Sequence, residues 1–216
     1  MQATLEGKEK GAQRLKAEIE KRDPQHKKAG VALVDGEHKL RELIKNYLPW
    51  FLIIIDIYHV MEYLWKGAHI FYKEGSKEAA NWMRDKLRKL LIGKVEEVIG
   101  ELEELYKTAS KNRRACLKKI ITYLTNGKAH MRYDIYLAKG YPIGSGVVEG
   151  ACRNLVKDRL EQCGMHWTIT GAEAVLGMRS IQINKMTEAY WKYHITQERG
   201  RLYGIHAEDG QIELAA

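Results

Sequence analysis

The sequence predicts an α/β fold that is mostly α, and three observations carry that prediction. Two short apolar runs, Val31-Ala32-Leu33-Val34 and Phe51-Leu52-Ile53-Ile54-Ile55, are rich in β-branched residues and do not alternate with polar ones. Strands buried on both faces of a parallel sheet read this way. Between the runs, Leu40, Leu43 and Ile44 share one helical face and Pro49 ends the segment. Strand, helix and strand thus make a compact right-handed crossover. Beyond about residue 60 the periodicity is helical throughout.

Taken in order, residues 1–30 are a polar amino-terminal segment in which Leu5–Glu20 can form a short helix, broken at Asp23-Pro24. The strands near 31–35 and 51–56 stop at Asp35-Gly36 and Asp56. Val60–Tyr72 is an apolar and aromatic helix. Ser76 is placed to cap one long helix over Lys77–Thr108, in which Leu91, Val95, Val98, Leu102 and Leu105 form a core-facing stripe. Lys111–Leu124 is a further helix, stopped by Asn126-Gly127. Residues 140–146 read as a loop, Val147–Cys163 as a helix ended by Gly164, and Thr170–Asn184 and Thr187–Gln197 as two more. Residues 205–216 read as a disordered tail. Two strands make no stable sheet, so further strands are expected from elsewhere, and the chain reads as the carboxyl-terminal part of something larger.

Composition narrows the function. The chain has 216 residues, with 36 Lys+Arg against 28 Asp+Glu and a net charge of +8, which makes a polyanion the leading class of partner. No apolar run approaches the roughly 20 residues of a membrane span, and the amino end has no signal-peptide core. A cytoplasmic location is expected. Cys116, Cys152 and Cys163 lack metal-site spacing and read as buried thiols in a reducing compartment.

Chemistry is expected where parallel strands end, because ligands gather at their carboxyl edge. Asp35 and Asp56 each end a strand, and neighbouring strands lie about 5 Å apart, so both carboxylates can reach one site. Asp35-Gly36 also reads as a turn, and Asp56 as the N-cap of the following helix. His59 stands one helical turn beyond Asp56, where a structural hydrogen bond is the ordinary role. In GSGVVEGACRNLVKDRLEQCGMHW, Ser145 is placed to cap a helix carrying Glu149, Cys152, Val156, Leu160 and Cys163 on one face. Arg153 and Lys157 lie beside that face, four apart, and suit either phosphates or solvent.

The blocks VALVDGEHKL, IIIDIYHVMEYLWKGAHIFY, MRYDIYLAKGYPIGSGVVEGACRNLVKDRLEQCGMHW and RLYG resemble bacterial insertion-sequence transposases of the Kra type, Mutator-related members of the DDE group. The resemblance runs from about Leu5 to Gly204. It implies a partial RNase H-like core formed by 31–60 and 140–204, interrupted by a helical insertion over 61–139. It implies that Asp35 is the second catalytic acid and Glu149 the final one, together holding two Mg²⁺ or Mn²⁺ ions. Asp56 and His59 resemble the family's Asp-x-x-His element, with His59 contacting phosphate or water and Asp56 orienting it. An alternative alignment makes Asp56 the second aspartate, but the motif match favours Asp35. Lys111, Arg113, Arg114, Lys118, Lys119, Arg153 and Lys157 are the basic residues expected to track DNA.

In the family the first aspartate lies on an opening strand, and nothing before Val31 reads as that strand. The expectation is therefore a carboxyl-terminal transposase fragment that is catalytically incomplete alone, with insertion-sequence ends, target DNA, an upstream transposase half and further copies of itself as partners. Two other readings stand beside it: a DNA-binding or dimerising remnant of a mobile element, and a helical scaffold.

Overall fold

The computed structural model describes residues 5–146, 150, 152, 156–157, 160 and 165–203. The chain divides into two compact units, one of residues 8–146 and one of residues 1–7 with 147–216.

In the larger unit, α1 (Lys8–Arg22) buries no residue and is polar nearly all round. It is tethered to the next helix by the Lys8–Glu37 ion pair and by Tyr47, whose hydroxyl donates to Glu9 at 3.0 Å. Asp23 ends it: its carboxylate accepts the Lys27 and Lys28 amides at 3.1 and 2.9 Å. β1 (Val31–Val34), α2 (His38–Tyr47) and β2 (Leu52–Ile55) follow, so the predicted strand–helix–strand unit is present. The strands pair in parallel with Val31 opposite Leu52 and Val34 opposite Ile55. Ile53, Ile54 and Ile55 are all buried, whereas only Val34 of β1 is. β2 is thus the buried strand of the pair, and β1 is half covered.

The helical remainder of this unit is α3 (Ile57–Phe71), α4 (Lys77–Leu91), α5 (Val95–Thr108), α6 (Lys111–Gly127), a 3₁₀ turn (Lys128–His130) and α7 (Tyr133–Ala138). Ser76 caps α4 through the Ala79 amide, as its position predicts. The single helix predicted over Lys77–Thr108 is instead two. Gly93 takes a left-handed φ of +81°, the Gly93 amide returns to Leu90 O and the Lys94 amide to Lys89 O. That is a Schellman ending, which satisfies carbonyls a continuous helix would have used internally. The apolar stripe survives the break, because Val95, Val98 and Leu102 are buried on α5.

Helix and sheet share one core, in which Ile54, Ile55, Val60, Leu64, Leu90, Leu102, Leu117, Leu124, Met131 and Tyr133 are almost fully buried. Gly67 lets α3 meet Trp82 of α4 closely: a Cβ there would stand 2.8 Å from the indole. Lys86 crosses the α4–α5 seam with its stem buried. It pairs with Asp85 at 2.9 Å and with Glu101, which also receives Lys89. Two parallel strands are therefore stabilised mainly by helices packed upon them, not by sheet pairing.

The second unit contains α8 (Ile169–Ile183) and α9 (Thr187–Tyr203). Thr168 caps α8 through the Gly171 amide at 3.1 Å. Ala172 and Leu176 are buried there. Ile169 is 73% exposed, and Met178, Trp191, Tyr193 and Leu202 are exposed too. Among the described residues, no helix is long and apolar enough to cross a membrane. The expected helix Val147–Cys163 and the expected tail 205–216 lie largely or wholly outside the described residues.

The cysteine expectation is corrected. Cys116 and Cys152 are exposed, because Cys116 sits on α6 away from the stripe of Leu117, Ile120 and Leu124 that enters the core. Cys163 lies outside the described residues.

Candidate functional site at the carboxyl ends of the two strands

The register that pairs Val34 with Ile55 carries Asp35 and Asp56 together to the same edge, and the Asp56 amide donates to Val34 O at 2.8 Å. Each aspartate then makes the same local turn. Asp35 Oδ1 accepts the Glu37 amide at 2.9 Å, and Asp56 Oδ1 accepts the Tyr58 amide at 2.9 Å. Both bonds reach two residues ahead, the pattern that makes aspartate a good turn and cap residue.

Their surroundings differ. Asp56 is 2% exposed, and its Oδ2 accepts the hydroxyl of Ser145. The loop that brings Ser145 is fixed by the Ile57 amide, which donates to Ile143 O at 2.9 Å. Gly144 packs where a Cβ would lie 2.7 Å from the Tyr58 ring. Both Asp56 oxygens are thus committed to holding α3 and this loop together. Ser145 donates its hydroxyl hydrogen to Asp56, and the backbone amides it is expected to cap, at 147 and 148, lie outside the described residues. Asp35 is exposed, and among the described residues no donor engages its Oδ2.

A second tie comes from the helical segment. Tyr123 of α6 donates its hydroxyl to the Asp35 carbonyl at 3.1 Å. Its ring fills the space beside Gly36, whose φ is +94° and whose missing Cβ would stand 2.9 Å from that ring. The ring stacks on Tyr63 of α3 with centroids 3.8 Å apart, and the Lys66 ammonium lies over Tyr63 at 4.9 Å. Burial pushes the Tyr123 phenol well above the usual range, and Tyr63, Asp35, Asp56 and Glu62 reinforce the shift. It therefore remains a protonated donor at any ordinary pH. Behind the edge, Tyr133 donates to Ile55 O at 2.9 Å in the core.

His59, in the first turn of α3, has a 42% exposed side chain and its Nδ1 lies 3.7 Å from Glu62. No contact joins it to Asp56 among the described residues. Glu149 and Arg153 lie outside the described residues, and Lys157 is exposed. On α6, Lys118 is exposed, Arg113 lies over the Phe71 ring at 5.6 Å, and Arg114 donates to the Tyr106 and Lys107 carbonyls at 3.1 and 2.8 Å. Arg114 thereby closes the end of α5 with the guanidinium that sequence reasoning assigned to DNA.

A divalent hard cation such as Mg²⁺ takes oxygen ligands in an octahedral set. Asp35 fits as one such ligand through its unengaged oxygen at the strand end. Asp56 is less open to a cation, because it is buried and each of its oxygens already accepts one hydrogen bond. Among the described residues, no group of three His, Cys, Asp or Glu side chains converges on one point. Tyr123 and Tyr63 escaped the sequence reading because nothing local marks them: the partner of Tyr123 lies 88 residues away. No protein-family model, curated protein or solved structure matches this chain.

Proposed function

We propose that this chain is the carboxyl-terminal portion of a DDE transposase, with an RNase H-like core, acting in DNA cleavage and strand transfer. The observation that supports this most is the exposed Asp35 carboxylate at the carboxyl end of a parallel strand, in the VALVDG block that resembles the family's second acidic element. Asp35 and Glu149 would hold Mg²⁺ or Mn²⁺. When bound, such ions supply an activated water or 3′-hydroxyl and stabilise the leaving oxygen.

The chain's own residues have separable tasks. Asp35 presents one oxygen, and Tyr123 pins its main chain. Asp56 holds the start of α3 and the Ser145 loop, so that His59 faces outward to meet a phosphate or a water. Lys118 and Arg113, with Arg153 and Lys157, neutralise backbone phosphates in a salt-dependent way. Arg114 contributes charge while its hydrogen bonds stay with α5. The first aspartate of the family pattern belongs to an upstream half, and paired DNA ends call for more than one copy of the assembly.

The test is a strand-transfer assay on duplexes carrying the element's ends, with the chain alone and with the polypeptide encoded upstream. Joining is expected only in the mixture with Mg²⁺ or Mn²⁺, and is expected to vanish in Asp35→Asn and Glu149→Gln. Metal-dependent joining that survives both substitutions would sink the proposal. A second reading, a DNA-binding or dimerising remnant, draws on the exposed apolar residues of α8 and α9. It is favoured if DNA binding and self-association persist while the mixture never joins DNA.

A further inference from the structure

Arg41 of α2 is a cation in the interior, 9% exposed. Its Nη1 donates to Asn126 O in the last turn of α6 at 2.8 Å, whereas its Nε is buried and meets no acceptor. Among the described residues no carboxylate pairs with it. A buried charge normally has a counter-charge or a full set of hydrogen bonds. The partial negative charge at the carboxyl end of α6 offsets only part of the deficit.

The neighbourhood adds positive charge instead of removing it. Lys45 stands one turn further along α2 and is exposed. His130, in the 3₁₀ turn after α6, is partly buried. Burial, then the charges of Arg41 and Lys45, hold its imidazole below the ordinary range, with only the Ile53 backbone pulling the other way. The acids nearest in sequence are engaged elsewhere. Glu42 faces His38 at 3.5 Å, Glu37 takes Lys8, and Asp134 takes Arg132 at 3.2 Å.

We propose that Arg41, Lys45 and His130 form a binding site for a phosphate group. A phosphate would supply the missing counter-charge. Its oxygens accept from the guanidinium, an ammonium and, once His130 is protonated, the imidazolium N–H that Ile53 does not use. The ligand class is a phosphate monoanion or dianion, whether free or as a phosphodiester of a nucleic-acid strand. This site does not rest on the transposase reading.

The experiment uses the full chain at constant ionic strength, titrated with inorganic phosphate against chloride, while calorimetry reads the phosphate affinity of each variant and NMR follows the His130 ring signals wherever His130 is retained. The expected result is saturable binding that raises the His130 titration midpoint. Lys45→Ala and His130→Gln, both at accessible positions, are expected to weaken phosphate about tenfold each, the loss of one charge-assisted bond. Arg41→Lys is expected to weaken it further, with folding checked by circular dichroism. A short duplex oligonucleotide forms the second arm. Displacement of phosphate by the duplex, with the same His130 response, identifies a backbone phosphodiester. Phosphate binding that the duplex leaves untouched identifies a free phosphate. If neither probe moves His130, or if Lys45→Ala and His130→Gln leave phosphate affinity unchanged, the site is refuted.

Discussion

Replacing Asp56 tests whether its carboxylate is structural. Its Oδ1 caps α3 through the Tyr58 amide at 2.9 Å, and its Oδ2 holds Ser145. Loss of an aspartate cap costs about 1 kcal/mol. Loss of a hydrogen bond to a charged acceptor costs about 1.5 kcal/mol; Ser145 is only partly buried and recovers some of this from water. Asp56→Ala is therefore expected to destabilise the larger unit by about 2 kcal/mol. Asp56→Asn keeps an oxygen for the cap and an amide that can donate to Ser145, so it is expected to cost about 1 kcal/mol or less. Urea unfolding followed by tryptophan fluorescence reads both, with an unchanged m-value as the check that only stability moved. An alanine variant as stable as the parent refutes the cap-and-tether account. In the strand-transfer mixture, Asp56→Asn is expected to retain joining while Asp35→Asn abolishes it. The reverse would make Asp56 the second catalytic acid.

The other predictions concern the turn and a buried ion network. Gly36→Ala places a Cβ 2.9 Å from Tyr123 at a φ of +94°, and is expected to cost about 1–3 kcal/mol in the same denaturation assay. A cost within error of zero would show that the Asp35 turn is not held by Tyr123. At the α4–α5 seam, burial works against ionisation of Glu101, but Lys86 and Lys89 outweigh it and hold its pKa below the usual 4.5. A carboxylate depressed in the folded state adds stability above its unfolded pKa and loses it as pH falls through the folded one. The Glu101 contribution is therefore expected to be level above about pH 5 and to be lost below it, and Glu101→Gln is expected to flatten that acid limb. An unchanged slope between pH 5 and 3 removes Glu101 from the account.

Much of the fold was legible because it is written locally. VALV and the LIII of the second run form the paired strands, and Asp56 and Ser76 cap α3 and α4 as their positions suggest. An unbroken apolar stripe masks the break at Gly93, a glycine whose importance lies in a positive φ and a Schellman ending. For Cys116 residue type suggests burial, whereas its phase on α6 turns it outward. Tyr123 and Arg41 could not be found from sequence, because each acquires its role from a partner more than 80 residues away.

The two aspartates show where such reading reaches its end. Both follow a β-branched or apolar run, both end strands in register, and both bond an amide two residues ahead. Their hydrogen bonds to the chain just ahead do not distinguish them. The difference is made by Ser145, 89 residues beyond Asp56, and by Tyr123, which reaches the main chain of Asp35 and leaves its carboxylate alone. One acid is closed into the scaffold and the other is held open at the same edge. The helices between the strands and the Ser145 loop therefore do more than fill space: α6 fixes the backbone beneath the acid that stays available. If α6 serves that purpose, Tyr123→Phe should lower joining in the strand-transfer mixture by more than its small effect on stability explains. If joining and stability instead fall together, α6 is a packing element alone.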